Sequence, residues 1–367
     1  MHIVFIAGTR PEYLKIIPVY KEFQRDGKWQ TTFVVTGQHD TMLSQLYDFF
    51  DVRPDYDLAV MQPGQSLETL TMTLIDKLSG LYADINPDYI LVQGDTTTTF
   101  IASLAAYYRR IKIIHLEAGL RTQNKFAPFP EEINRRLTSV VADYHFCPTG
   151  QARQNLLQEN IKENIHVVGN TILDTLNWTL KKIKDNEPIY SGRFNTLLAG
   201  YDKMVLVTAH RRESFGSGLQ QIARALVTLA TNYPQIVFVF PVHLNPQVKK
   251  LMEDELGNQA NIKLLPPQDY DNMVYLMSKA ALLMTDSGGI QEEAPTLHKK
   301  VLVMRTTTER PEAVAAGFSV LCGTDSQNII KQFAANINTP PPANMANPYG
   351  DGRSALYIKE IMDKAVN

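Results

Sequence analysis

Short apolar runs rich in β-branched residues recur between stretches of helical spacing, and this alternation restricts the chain more than any other feature. The runs from Ile3 to Ala7, Thr32 to Val35, Tyr89 to Val92, Ile111 to Leu116, Tyr144 to Cys147 and Ile165 to Val168 form one set. Strands that are apolar throughout and separated by helices belong to parallel, doubly wound sheets. A second set follows: Met204 to Thr208, Ile236 to Phe240, Ile262 to Leu265, Ala281 to Thr285, Val301 to Met304 and Ser319 to Cys322. At roughly 150 residues per domain, a chain of 367 residues holds about two domains. The expected fold is α/β, two Rossmann-like domains facing a cleft. The first spans residues 1–170 and the second 171–352, with Gly169-Asn170 at the switch and the polar stretch from Lys181 to Gly200 leading into the second set. Beyond a proline-rich segment, residues 353–367 regain helical spacing and are expected to pack back on the first domain.

Composition narrows the partners. With 36 Lys+Arg against 38 Asp+Glu the net charge is −2, so the broad basic face that binds a phosphate backbone is missing and no nucleic acid is expected. The two cysteines, Cys147 and Cys322, show neither disulfide nor thiolate-metal spacing and read as small buried hydrophobes. No metal site is expected. No apolar stretch approaches the roughly 20 residues of a membrane span, and no signal-peptide pattern opens the chain. The expected address is the cytoplasm, with no membrane partner.

In doubly wound sheets ligands bind beyond the carboxyl ends of the strands, and the chemically informative residues fall there. After the first run, Gly8-Thr9-Arg10-Pro11-Glu12 puts proline in the first turn of a helix, with Arg10 and Lys15 able to face one side of the cleft. The loop can bind an anion; a turn with a solvated lysine is the alternative. Gln93-Gly94-Asp95-Thr96 places a carboxylate at a strand end, either as a helix N-cap or for catalysis. The adjacent strand runs into His115-Leu116-Glu117, where alternation points His115 and Glu117 to the same face. Acids at two neighbouring strand ends are harder to explain as structure alone. Glu131 and Glu132 open a helix, which dipole matching also accounts for.

In the second half, His210-Arg211-Arg212 and Pro241-Val242-His243 stand at strand ends, with a structural histidine or a stiff turn as the alternatives. Asp286-Ser287-Gly288-Gly289 then offers backbone amides to a phosphate at a helix start, and an acid one turn later can hold ribose hydroxyls. No dinucleotide fingerprint follows a strand: Gly216-Ser217-Gly218 lacks its third glycine. No cofactor is therefore expected, and the chemistry must use side chains and the substrate's own leaving group.

These residues resemble a known family, the non-hydrolysing UDP-N-acetylglucosamine 2-epimerases of bacterial surface-polysaccharide pathways. The resemblance covers nearly the whole chain. It rests on Gly8 to Glu12 with Lys15, Gly37 to His39, Gly94 to Thr99, His115 to Thr122 and Pro130 to Arg135. It continues through His210 to Ser214, Pro241 to Pro246, Asp286 to Pro295, Thr307 to Ala313 and Asn347 to Gly352. It implies a glycosyltransferase-B type fold, homodimers, and conversion of UDP-GlcNAc to UDP-ManNAc by eliminating UDP to a 2-acetamidoglucal and re-adding it. By the same resemblance Asp95, Glu117 and Glu131 are the essential carboxylates, and Arg10, Lys15, His210 and the Ser287, Gly288 and Gly289 amides steady the leaving diphosphate. Glu293 matches the ribose ligand, and Gln268, Met273 and Arg310 match nucleotide-binding positions. Met273 stands where relatives often carry an aromatic. Gln38, Glu131 and His243 match a second, activating UDP-GlcNAc site, although Gly64 and Thr41 replace side chains that some relatives supply there.

Three rivals share parts of the pattern. A glycosyltransferase of the same fold would differ by an acceptor pocket, and a hydrolysing epimerase by releasing free ManNAc. A catalytically silent nucleotide-sugar sensor would not need Asp95, Glu117, Glu131 and His210 together.

Overall fold

Strand β1 (His2–Ala7) is buried on both faces, and the alternation of its side chains assigns a different partner to each. Val4 and Ile6 join Val34, Leu74, Leu78, Ile90, Val92 and Ile101 in one apolar cluster. Phe5 points the other way, with its ring 5.2 Å from Tyr20 and 5.7 Å from Phe23. The computed structural model describes residues 1–37, 41–62, 64–209, 216–242, 245–341 and 345–366, without the side chains of residues 41–42 and 246–247.

Two compact units result, residues 1–175 with 349–367, and residues 176–348. The first contains β1, α1 (Arg10–Gln24), β2 (Gln30–Val35), α2 (Thr41–Phe50), β3 (Tyr56–Asp57), α3 (Leu67–Ile85), β4 (Tyr89–Gln93) and α4 (Thr97–Tyr108). There follow β5 (Lys112–Leu116), α5 (Glu131–Val141), β6 (Tyr144–Cys147), α6 (Gly150–Gln158), β7 (Ile165–Val167) and the start of α7 (Ile172–Asp185). Its strands pair in parallel in the order β3-β2-β1-β4-β5-β6-β7. The order reverses between β1 and β4, so the loops after these two strands flank the position where such sheets bind ligands.

The second unit repeats the plan with α8 (Glu187–Leu198), β8 (Lys203–Thr208), α9 (Ser217–Asn232), β9 (Ile236–Pro241), α10 (Pro246–Leu256) and β10 (Ile262–Leu265). It continues with α11 (Tyr270–Lys279), β11 (Leu282–Thr285), α12 (Gly288–Glu293), β12 (Val301–Val303), α13 (Pro311–Ala315), β13 (Ser319–Leu321) and α14 (Ser326–Asn336). The parallel order β10-β9-β8-β11-β12-β13 reverses between β8 and β11. The architecture is α/β with two Rossmann-like domains. The polar stretch before β8 is helical: α8 docks through Tyr190 and Phe194, whose rings stack on Tyr275 of α11 at 5.5 and 5.6 Å. Only two of its residues are buried, which is why its pattern reads as polar.

The last helix, α15 (Ser354–Ala365), belongs to the first unit. Trp29 Nε1 donates to Asp363 Oδ1 at 2.7 Å, and Lys359 Nζ reaches Asp26 and Asp363 at 2.8 and 2.7 Å. Asp174 accepts the Ser354 and Ala355 amides at 3.1 and 3.0 Å, which satisfies two donors that the start of α15 would otherwise leave open.

Burial, only partly offset by these bonds, pushes the Asp174 carboxyl up from 3.8 to about 6. The folded state then holds this proton more tightly than the unfolded chain. The resulting stability is present below pH 4 and lost as pH rises through 6, a change of roughly 3 kcal/mol. Asp174→Asn is expected to flatten the decline in Tm between pH 4 and pH 7, as read by thermal unfolding across that range.

Candidate active site

Asp95 follows β4, and Thr96, not Asp95, caps α4: the Thr96 hydroxyl accepts the Thr99 amide at 3.2 Å. This leaves the Asp95 carboxylate for another partner. Arg135 of α5 supplies it through Nη2. The same helix donates Asn134 Nδ2 to the Asp95 carbonyl at 3.0 Å. Arg135 is itself held by Glu132, fully buried, at 3.1 Å. Glu132 also accepts the Thr122 and Gln123 amides at 3.0 and 3.3 Å and Arg136 Nε at 3.2 Å. Glu131 opens α5 four residues before Arg135, which places the two on one helix face.

Glu117 lies one residue past β5 with φ +60°, a left-handed conformation that costs a non-glycine residue about 1–2 kcal/mol. Strand alternation therefore does not set its direction. The turn brings Glu117 Oε2 to 2.6 Å from Lys15 Nζ of α1, and Gln93 at the end of β4 also donates to it. The Lys15 and Glu117 side chains are 11% and 9% exposed, so their mutual attraction is weakly screened. On its other side Glu117 borders a small cavity lined by Phe146, Pro148, Gly169, Asn170 and Ile358. His115 is turned elsewhere. Its Nε2 sits 2.7 Å from the Gly94 carbonyl, which can only accept, so Nε2 carries the proton. Burial depresses its pKa to about 3, and the ring is neutral at physiological pH.

Arg10 opens α1 and is half-buried. Glu12, two residues later, is buried among Gly8 N at 2.9 Å, Thr96 Oγ1 at 2.6 Å and Thr99 Oγ1 at 3.0 Å. Burial pushes its carboxyl up, against the opposing pull of Thr96, Thr9, Thr99 and the Gly8 amide.

In the second unit the Ser287-Gly288-Gly289 turn follows β11, the switch-point strand. Thr285 Oγ1 accepts the Ser287 amide at 2.9 Å. The Arg310 guanidinium lies against this turn, its Cζ 3.4 Å from where a Gly288 Cβ would sit. Glu292 holds Arg310 at 2.7 Å. Nearby, burial raises Glu309, but two bonds from Arg305 at 2.9 and 3.0 Å outweigh it and hold the carboxyl at about 2. Glu293, buried, is 3.4 Å from the Tyr270 hydroxyl, which joins the end of α12 to the start of α11. Met273 lies in that first turn of α11. Gln268 precedes it and donates to the Pro266 carbonyl at 2.8 Å.

The structure thus gathers Lys15 with Glu117 and Asp95 with α5 in the first unit, and Arg310, the Ser287–Gly289 turn and Glu293 in the second. Gln38, His210 and His243 lie outside the described residues. Gln93, Glu132 and Arg135 fall within motifs that the sequence marks but are given no site role there, and Tyr270 is not marked at all. The spacing of Arg135 four residues after Glu131 places it on the same helix face. Among the described residues no group of three or more His, Cys, Asp or Glu is placed to hold a metal ion, and no helix is long and apolar enough to cross a membrane.

The fold is two Rossmann-like domains, with acids at adjacent strand ends of the first, and its solved neighbours are of the glycosyltransferase-B type. The family described as UDP-N-acetylglucosamine 2-epimerase matches residues 21–363. The Neisseria meningitidis UDP-N-acetylglucosamine 2-epimerase is 46% identical over 370 residues, 99% of this chain and all of that protein. The Escherichia coli K12 protein of the same name is 45% identical over 373 residues, 99% of this chain and 98% of its own. The crystal structure of the Neisseria meningitidis UDP-GlcNAc 2-epimerase bound to UDP-GlcNAc superposes with a TM-score of 0.94 at 45% identity, covering 99% of this chain and 100% of that one. The chain belongs to the UDP-N-acetylglucosamine 2-epimerase family and is by class an isomerase.

Proposed function

We propose that this protein reversibly converts UDP-GlcNAc to UDP-ManNAc without net hydrolysis, through elimination and re-addition of UDP. The C2 proton of the sugar is too weak an acid to be removed alone. As the C1–O bond breaks, its electron pair leaves with UDP, C1 gains oxocarbenium character and the C2–H bond becomes labile. A base takes that proton, giving 2-acetamidoglucal; a second group then protonates C2 on the opposite face while the UDP oxygen re-forms the bond to C1. Two proton carriers are required, and stabilising the departing diphosphate is the main electrostatic task.

The observation that carries this reading is the placement of Asp95 and Glu117 at adjacent strand ends beside the switch point, each bonded to a different cation, Arg135 and Lys15. Asp95, Glu117 and Glu131 are assigned the proton transfers, and Lys15, Arg10 and His210 the charge of the leaving group. The nucleotide is assigned to the second unit: Ser287, Gly288, Gly289 and Arg310 to the diphosphate, Glu293 to the ribose, and Gln268 and Met273 to the base. Gln38, Glu131 and His243 remain the candidates for a second, activating UDP-GlcNAc, and supply of UDP-ManNAc to cytoplasmic steps of surface-polysaccharide synthesis fits the family's role.

Incubation with UDP-GlcNAc in deuterated water tests the reaction. The expected product is UDP-ManNAc carrying deuterium at C2; with substrate isotopically labelled at the sugar–phosphate bridging oxygen, that label is expected to scramble into the non-bridging positions. Free ManNAc would indicate a hydrolase, transfer only with an acceptor a glycosyltransferase, and no exchange a sensor.

We also assign a homodimer. Ile133, Leu137 and Val140 expose an apolar stripe on α5, and α4, which packs on α5, ends in Tyr107 and Tyr108 at 58% and 66% exposure. Val140→Glu is expected to move the mass measured by light scattering from dimer to monomer; a wild type that is already monomeric removes the assignment.

A further inference from the structure

We propose that Glu12 is a positioning residue for this reaction: its buried side chain, neutral rather than charged, latches the loop carrying Arg10 to the loop carrying Asp95. The inference rests on the activity proposed above. Glu12 spans the two loops that flank the switch point of the first sheet. One oxygen accepts the Gly8 amide of the β1–α1 loop at 2.9 Å, and the other meets Thr96 Oγ1 at 2.6 Å and Thr99 Oγ1 at 3.0 Å, at the start of α4. The loops touch directly as well, since a Cβ on Gly8 would lie 2.3 Å from Thr98 Oγ1.

A count of protons assigns the charge state. The Thr99 hydroxyl has one proton, and its oxygen lies 2.7 Å from the Gln93 carbonyl, which can only accept. With that proton on Gln93, the contact between Thr99 and Glu12 requires a proton from the carboxyl group. The partners the structure gives Glu12 are neutral amide and hydroxyl groups, and a buried carboxylate without a cation is costly. A protonated carboxyl fits these contacts: its hydroxyl donates its one proton toward Thr99 and accepts from Thr96, and its other oxygen accepts from Gly8. Because Gln93 also donates to Glu117, the latch connects Asp95, Glu117 and the first turn of α1 in one network. A helix cap alone is the competing explanation, since Glu12 is in the first turn of α1.

The two explanations separate in kinetics and in vibrational spectra. Gln has nearly the shape of a protonated Glu and, unlike a carboxylate, is neutral and offers a donor toward the threonines. Glu12→Gln is therefore expected to keep kcat within about threefold of wild type, whereas Glu12→Ala loses about 10²-fold in kcat through misplacement of the loops. KM and the affinity for UDP stay within about threefold in both. Difference infrared spectra of the wild type should contain a buried carboxylic-acid carbonyl band that Glu12→Gln removes. Thr99→Val, which keeps the shape and drops the hydroxyl, should lower kcat about tenfold and serves if the alanine variant does not fold. The proposal is overturned if Glu12→Gln is as impaired as Glu12→Ala, if the infrared band is missing, or if kcat, UDP affinity and Tm fall in step. Wild-type protein that binds UDP but forms no UDP-ManNAc overturns the activity itself, and this role with it, in the control arm.

Discussion

Asp95→Asn and Glu117→Gln are each expected to lower kcat for C2 inversion by about 10²–10⁴-fold while UDP affinity stays within about threefold. Each substitution keeps side-chain volume and removes only the ability to take up a proton as a carboxylate. The proposed nucleotide ligands of the second unit are untouched. Asp95→Asn leaves Arg135 bonded to Glu132 at 3.1 Å, and Glu117→Gln keeps an acceptor for Lys15, so both variants should remain folded. Deuterium wash-in from each direction then divides the labour between the acids. A variant that still exchanges the C2 proton of UDP-GlcNAc but not that of UDP-ManNAc has lost the acid serving the ManNAc face. Unchanged turnover in either variant removes that residue from the mechanism.

Gly119→Ala is expected to destabilise the protein by about 3–5 kcal/mol, because a left-handed conformation and overpacking act together. Gly119 has φ +90°, and a Cβ there would lie 2.1 Å from the Ala152 carbonyl oxygen. That oxygen is backbone and cannot turn aside. The Gly119 carbonyl also accepts Asn155 Nδ2 at 2.9 Å, so a shift of the chain breaks a second contact. Glu117 is two residues away, and its own left-handed φ depends on the same turn, so kcat should fall even where the variant remains folded. Gly80→Ala is the control. It lies inside α3 with nothing within 4 Å of the added methyl, and should stabilise by about 0.5–1 kcal/mol. Urea denaturation of the two variants measures both signs; equal effects would remove the steric argument.

Most of the sheet was legible because a strand buried on both faces is apolar at every position. The exception is β3, whose residues Tyr56 and Asp57 are both exposed. It exists because Val34 and Val35 of β2 offer it a register, and two exposed residues carry no pattern of their own. Helix α8 was hidden for a related reason: its core contribution is one pair, Tyr190 and Phe194, and what they stack on is Tyr275, distant in sequence.

The acids of the site were legible as residues at strand ends, where topology brings ligands. Their partners were not. Lys15 and Glu117 are 102 residues apart, and Asp95 and Arg135 40 apart. The sequence by itself determined the strand pattern, the residues at the strand ends and the family, since these depend on local spacing and residue type. Only the tertiary structure decided that Thr96 caps α4 and frees Asp95, that a left-handed turn aims Glu117, and that Glu12 joins two loops. Hydrogen bonds and ion pairs act over a few ångströms, and which groups come that close is set by how helices and strands pack, not by their order along the chain.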